Sequence, residues 1–402
     1  MKRTCIFICL VLFLSVNVFS KSVYDTADEE TKATLSEIDK LIEQQQYLTA
    51  FYKTSNKNEY LLAKRIEISI YDFAYSIMHQ LFAIKDLEEG ETLYQVRTSY
   101  EGDLSIVMAD PVEAVEEFEG NYGEKPVLKY ALGLYYQDVI DRYGDQWLLK
   151  TDELKDKVIL NLQKALDQDC YDSYSLSVLA TSYYQKKNLD KAIEIYQLKQ
   201  KEFEFTATDN YHYGILLWYT DKAKDGLGYV VKSIDGYDDY PQFQCDAYVV
   251  ASRIALELLD LKSAEKYLTE CKKKYPDDYR SFQYSISLYA LQNNKKKTVE
   301  ASMKIFEYGI SNPATCQMIM NECNDSEKPE FAVEFFKEAL KKYGKDDKAC
   351  ENLYFHFAYQ YYLMKMPAES KQMANTARGY FEKNGDLSQD VDEILNMLCE
   401  NQ

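Results

Sequence analysis

The chain is poor in the residues on which most catalytic and turn-rich folds depend. It has three histidines in 402 residues, at 79, 212 and 356. They fall in separate predicted helices with no H-x3-H or H-E-x-x-H spacing, so a zinc hydrolase would lack its ligand set. Seven prolines and fourteen glycines are too few for β-sandwiches, glycine-rich phosphate loops or a disordered chain. No G-x-S-x-G, P-loop or Rossmann glycine fingerprint occurs. The nine cysteines include no C-x-x-C. The acidic pairs Glu88-Glu89, Asp238-Asp239, Asp277-Asp278 and Asp346-Asp347 fall in or beside expected turns. They lack EF-hand spacing and read as solvated turn residues. No catalytic residue, metal ligand or cofactor is assigned.

Positive charge is also scarce. Against 66 acids stand 47 Lys and Arg, a formal charge of −19, which repels phosphate backbones and anionic lipid and argues against nucleic acid as a partner. Lys272–Lys274 reads as a helix end and Lys295–Lys297 as an intra-repeat turn, on opposite edges, so the two runs do not merge. Lys2 and Arg3 precede an apolar run from Ile6 to Leu14 and a Val18-Phe19-Ser20 ending, which reads as a secretory signal with cleavage after Ser20. The run is short for a span of about 20 residues. Cys5 and Cys9 have no small-residue lipid-attachment context. Cleavage takes the charge from −19 to −21 by removing Lys2 and Arg3. The product is expected to be an exported protein of the periplasm or cell envelope, without stable membrane insertion.

What the chain has in quantity is tyrosine, 37 of them, and helical periodicity. Residues 28–53 and 58–86 read as two long amphipathic helices, the second on Leu61, Leu62, Ile66, Ile70, Phe73, Ile77 and Leu81. Residues 87–125 read as an acidic loop holding one helix, about 112–119, started by Asp110-Pro111. From Pro126 a unit of about 34 residues recurs. In its clearest copy, 173–206, Leu176, Leu179, Ala180, Tyr183, Ala192 and Tyr196 stand at positions 4, 7, 8, 11, 20 and 24. Lys186, Lys187 and Asn188 supply the turn. Small residues at 8 and 20 let two antiparallel helices approach, and large ones fill the seam. The copy from 207 places Gly214 and Gly226 at those positions, and the copy from 245 places Ala251 at position 7 and Ala264 at position 20. Lys199 stands where position 27 should be small.

This pattern resembles the tetratricopeptide repeat, with roughly six repeats over 126–380. The expected fold is all-α: a right-handed α-solenoid with an N-terminal helical region (21–125), the array (126–380) and a C-terminal capping helix (381–402, chiefly Asp386 to Leu398). The resemblance implies that the first helix of each pair lines a concave surface through positions 2, 5, 9, 12 and 13. Carried over by position, it offers Tyr174 and Tyr184, then Tyr211, Trp218 and Tyr219, then Val249, Arg253 and Glu257, then Asn352, Phe355, Tyr359 and Tyr362. Those expected to bind a partner are Tyr174, Tyr184, Tyr211, Trp218, Tyr219, Arg253, Tyr359 and Tyr362. A Lys/Asn carboxylate clamp is missing, with Ser177 and Thr181 in its first places. The expected function is a non-enzymatic scaffold holding a protein or peptide segment. The alternatives are an accessory protein of a solute transporter binding a small ligand and, least supported, a hydrolase using 87–125. Cys245 and Cys271, at positions 1 and 27 of one copy, stand near the same end of their helix pair.

Overall fold

A computed structural model describes residues 22–71, 73–76, 81–99, 105–108, 110–310 and 312–400. The expected signal, 1–20, and His79 lie outside them. The chain divides into two compact units at Phe205/Thr206.

The first unit opens with α1 (Glu29–Glu43), α2 (Tyr47–Lys53) and α3 (Glu59–Ile68). The expected 28–53 helix is therefore two helices. The break is a turn in which Gln45 takes a left-handed conformation, φ 60°. The expected 58–86 helix is corrected more deeply. It ends at Ile68, and the chain continues as strands β1 (Phe73–Ser76) and β2 (Leu81–Ile84), joined after α4 (Leu93–Ser99) by β3 (Ser105–Met108). The three form an antiparallel sheet in the order β1-β2-β3, with Phe82 opposite Val107 and Ile84 opposite Ser105. Apolar residues three and four apart cannot exclude a strand whose partner lies more than twenty residues away. The distant Ser105–Met108 segment decides the pairing. Then α5 (Pro111–Tyr122) begins where Asp110 accepts hydrogen bonds from the Val112 and Glu113 amides, each 3.0 Å.

The start of the described chain is tied down. Val23 and Ala27 are buried, and the Tyr24 hydroxyl donates to Glu67 at 2.8 Å. Buried Lys64 pairs with Asp39 at 3.0 Å and Glu67 at 2.9 Å, and lies over the Tyr24 ring. Burial alone would lower the Lys64 pKa, but Glu67 and Asp39 together raise it.

Regular helix pairs follow: α6 (Pro126–Tyr143) with α7 (Thr151–Leu166), and α8 (Ser173–Gln185) with α9 (Leu189–Glu202). In the second unit come α10 (Ala207–Trp218) with α11 (Ala223–Asp235), and α12 (Pro241–Glu257) with α13 (Leu261–Lys274). They continue with α14 (Arg280–Leu291) and α15 (Lys295–Tyr308), α16 (Pro313–Asp325) and α17 (Pro329–Tyr343), and α18 (Asp347–Leu363) and α19 (Pro367–Asn384). A last helix, α20 (Gln389–Cys399), packs on α19 and α18. Seven pairs are thus described where the side-chain pattern gave roughly six. Lys295–Lys297 forms the first turn of α15 rather than part of a connecting loop.

Two features make these pairs tetratricopeptide-type units. The first is close approach at positions 8 and 20. A Cβ added to Gly226 would stand 2.5 Å from the Gly214 carbonyl oxygen, so only glycine admits that contact. The second is the turn. One residue in each of six turns is left-handed: Lys187, Asp221, Leu259, Asn293, Glu327 and Lys365, with φ between 55° and 61°. The following amide bonds back to the carbonyl five residues earlier, as Asn188 to Tyr183, Lys222 to Leu217, Asp260 to Ala255 and Asn294 to Tyr289. This closes the first helix by a Schellman-type bond and reverses the chain. Leu259, Asn293 and Glu327 are 34 residues apart, so the backbone keeps its period where the side-chain pattern slips.

Lys199, the exception at position 27, is 2% exposed. Its ammonium donates to the Ser177 hydroxyl, which occupies a residue otherwise offered to the groove.

Candidate functional site

In the second unit the first helices α12, α14, α16 and α18 pack successively on one another and form one layer. The expected site residues divide across it. At the end of α10 the Trp218 ring is buried among Val230, Tyr248 and Ile254. Its indole Nε1–H donates to Glu257 Oε2 at 2.7 Å, and the Arg253 guanidinium lies 5.0 Å from the ring centre. Tyr219 stacks on Trp218, with ring centres 5.1 Å apart and planes 13° from parallel. Tyr219 is 55% exposed.

The structure therefore brings Trp218, Tyr219 and Arg253 together and separates their roles. Trp218 is a buried support rather than a contact surface; Tyr219 and Arg253 face outward. Trp218 points at the neighbouring first helix, α12, which covers it.

The remaining expected residues lie elsewhere. Tyr211 is half-buried, edge-on to Tyr237 at 6.4 Å, and burial raises its hydroxyl pKa. Tyr359 and Tyr362 on α18 stack with planes 9° apart and form a separate half-buried cluster. Val249 and Asn352 are buried. In the first unit Tyr174 is 52% exposed, and Tyr184 is half-buried.

Sequence reasoning missed a polar run farther along the layer. Glu322 on α16 accepts hydrogen bonds from Gln283 Nε2 at 2.6 Å and from the Ser287 hydroxyl, both on α14. Burial raises its pKa against the effect of those donors. Asn324 and Gln360 exchange side-chain amide hydrogen bonds of 3.2 and 2.9 Å between α16 and α18. Gln283 and Ser287 occupy positions 5 and 9 of the unit opening at Tyr279. The rule that selected tyrosines would have found them, but they are not aromatic.

Chemistry-bearing residues converge little. His356 is buried, its Nδ1 2.9 Å from the Asn352 carbonyl oxygen, and burial lowers the pKa of both His356 and His212. Among the described residues, no group of three His, Cys, Asp or Glu is placed to hold a metal ion. A cleft of about 80 Å³, lined by Phe51, Arg65, Ser69 and Asp110 among others, is far below the roughly 300–1,000 Å³ of ligand pockets. Among the described residues, no helix is long and apolar enough to cross a membrane.

Paired helices with close small-residue contacts and left-handed reversal residues define an all-α, tetratricopeptide-like repeat fold. No protein-family model and no curated protein matches the chain. Solved structures overlap with it at low identity. A tetratricopeptide repeat protein from Parabacteroides merdae is 12% identical, with 68% of this chain and 99% of that one covered, at a TM-score of 0.43. The C-terminal part of a TPR repeat-containing protein from Cytophaga hutchinsonii is 13% identical, covering 65% and 99%, at 0.42. YrrB, a TPR protein with an unusual peptide-binding site, is 13% identical, covering 57% and 98%, at 0.40. The repeat assignment rests on this chain's own packing and turns.

Proposed function

We propose that the protein is an exported, non-catalytic scaffold that holds a protein or peptide segment against the first-helix layer of its second unit. The observation that carries this is Tyr219, an exposed aromatic ring backed by Trp218, which Glu257 and Arg253 hold in place. A ring with rigid backing offers large apolar area and a polar edge at small entropic cost, the character of binding hot spots. Arg253 adds a charged donor at its side for a carboxylate or backbone carbonyl. Export is read from the first twenty residues, and intact mass of the secreted product is expected to begin at Lys21.

The groove is tested with a photo-crosslinking amino acid at position 219 and, as control, at exposed Lys224 on α11. Crosslinks to one recurrent segment from 219 and not from 224 support the reading. Tyr219→Ala is then expected to weaken that capture about tenfold or more, the roughly 1.4 kcal/mol or greater of a hot-spot truncation. Equal crosslinking at both positions would defeat it.

A further inference from the structure

Cys245 on α12 and Cys271 on α13 face each other inside one helix pair, with Sγ atoms 3.7 Å apart. Both are free thiols, 5% and 0% exposed. Val230, Ile234, Tyr237 and Tyr248 pack in the same core cluster. At the head of α14, Arg280 is anchored by Asp278 and Asp246 and reaches to 3.8 Å from Cys245 Sγ. The hydrogen bond from Cys245, aided by the charges of Arg280 and Lys272, holds the Cys271 thiol below its ordinary pKa.

We propose that Cys245 and Cys271 form an intramolecular disulfide that staples α12 to α13 when the chain meets a disulfide oxidant. A disulfide needs sulfurs about 2.05 Å apart. The sulfurs have to close to that distance from 3.7 Å by rotation about the two Cα–Cβ bonds and adjustment of the helices. Cys316 and Cys323 show the contrast: both are buried on α16, but seven residues of helix separate them by about 10.5 Å. The proposal goes beyond the groove reading and stands independently of it.

The oxidant is a small or protein disulfide, R–S–S–R. Cys245, the more exposed of the two, gives up its proton and attacks one of the oxidant's sulfurs, forming Cys245–S–S–R and releasing the first R–S⁻. The Cys271 thiolate then attacks the Cys245 sulfur, forming the Cys245–Cys271 bond and releasing the second R–S⁻. The two protons lost by the cysteines are taken up by the departing thiolates. The protein dithiol loses two electrons and the oxidant gains them. Because Cys271 is fully covered, the second step is internal.

The test uses the chain from Lys21, purified reduced. It is incubated with oxidised glutathione as the folded protein and, in parallel, during refolding from denaturant. Free thiols are then blocked and the products mapped as peptides without reduction. The expected product is one linked pair of peptides carrying Cys245 and Cys271, lost on reduction. Its formation should raise Tm by about 5 °C or more, since it closes a loop of some 26 residues. Cys245→Ala and Cys271→Ala should each abolish that rise. Linkage in either arm supports the staple. Both cysteines recovered blocked in both arms, separate glutathione adducts on them, or linkage of either to another cysteine would overturn it. The wild-type map decides the matter even if a variant folds poorly.

Discussion

The Trp218 indole donates to Glu257 at 2.7 Å, joining the last turn of α10 to the last turn of α12. This contact converts a residue read as groove surface into a junction between consecutive repeats. Trp218→Ala removes a buried ring and leaves a cavity, so it should cost about 3–5 kcal/mol. Glu257→Ala should cost about 0.5–1.5 kcal/mol, because Glu257 is exposed and water can take its place as acceptor. Denaturant unfolding of the two variants measures both. Trp218→Ala within 1 kcal/mol of the parent would show that the ring carries little of the junction.

Helix α11 contains its own internal control. Gly226→Ala would drive a methyl to 2.5 Å from the Gly214 carbonyl oxygen and should destabilise by about 1–3 kcal/mol. At Gly228 the added Cβ meets nothing within 4 Å, so Gly228→Ala should stabilise by about 0.5–1 kcal/mol through helix propensity. Thermal melts with opposite signs are expected from the two substitutions. Equal shifts would mean that α10 and α11 approach less closely than described.

Leu259 combines φ 55° with 68% exposure. A branched side chain in the left-handed region costs about 1–2 kcal/mol. Glycine removes that cost but loses more entropy on folding, so Leu259→Gly should raise stability by about 0.5–1 kcal/mol. A drop in the unfolding midpoint would refute the turn geometry.

Lys272 sets a pH dependence. Burial lowers its pKa from 10.5 to about 8. The rings of Phe282 and Tyr289, 5.2 and 5.8 Å away, favour the charged form by about 0.5–1 kcal/mol each and so offset part of the burial penalty. The unfolded chain therefore binds more protons between pH 8 and 10.5, and stability contributed at Lys272 rises with pH across that window. Lys272→Met should be more stable than wild type at pH 7 by roughly 1–2 kcal/mol, with the advantage shrinking above pH 8. Paired denaturant titrations at pH 7 and 9.5 read the difference. A constant offset would mean that the ammonium is solvated.

The repeat was legible because its determinants are local. Small residues at positions 8 and 20, aromatic ones at 11 and 24, and Lys186–Asn188 in the turn all lie within 34 residues of one another. Their packing is repeated by the next copy. The N-terminal sheet was not legible. Phe73–Ser76, Leu81–Ile84 and Ser105–Met108 carry no signal that pairs them, and helical spacing of the first two fits either state. The site was partly legible. Position along the first helix selected Tyr219 and Arg253, both of which are exposed. It could not show that the neighbouring helix buries Trp218, or that Gln283, Ser287 and Glu322 make one polar contact. Sequence fixes which face of a helix a residue occupies; only the placement of the next helix decides whether that face meets solvent or another side chain.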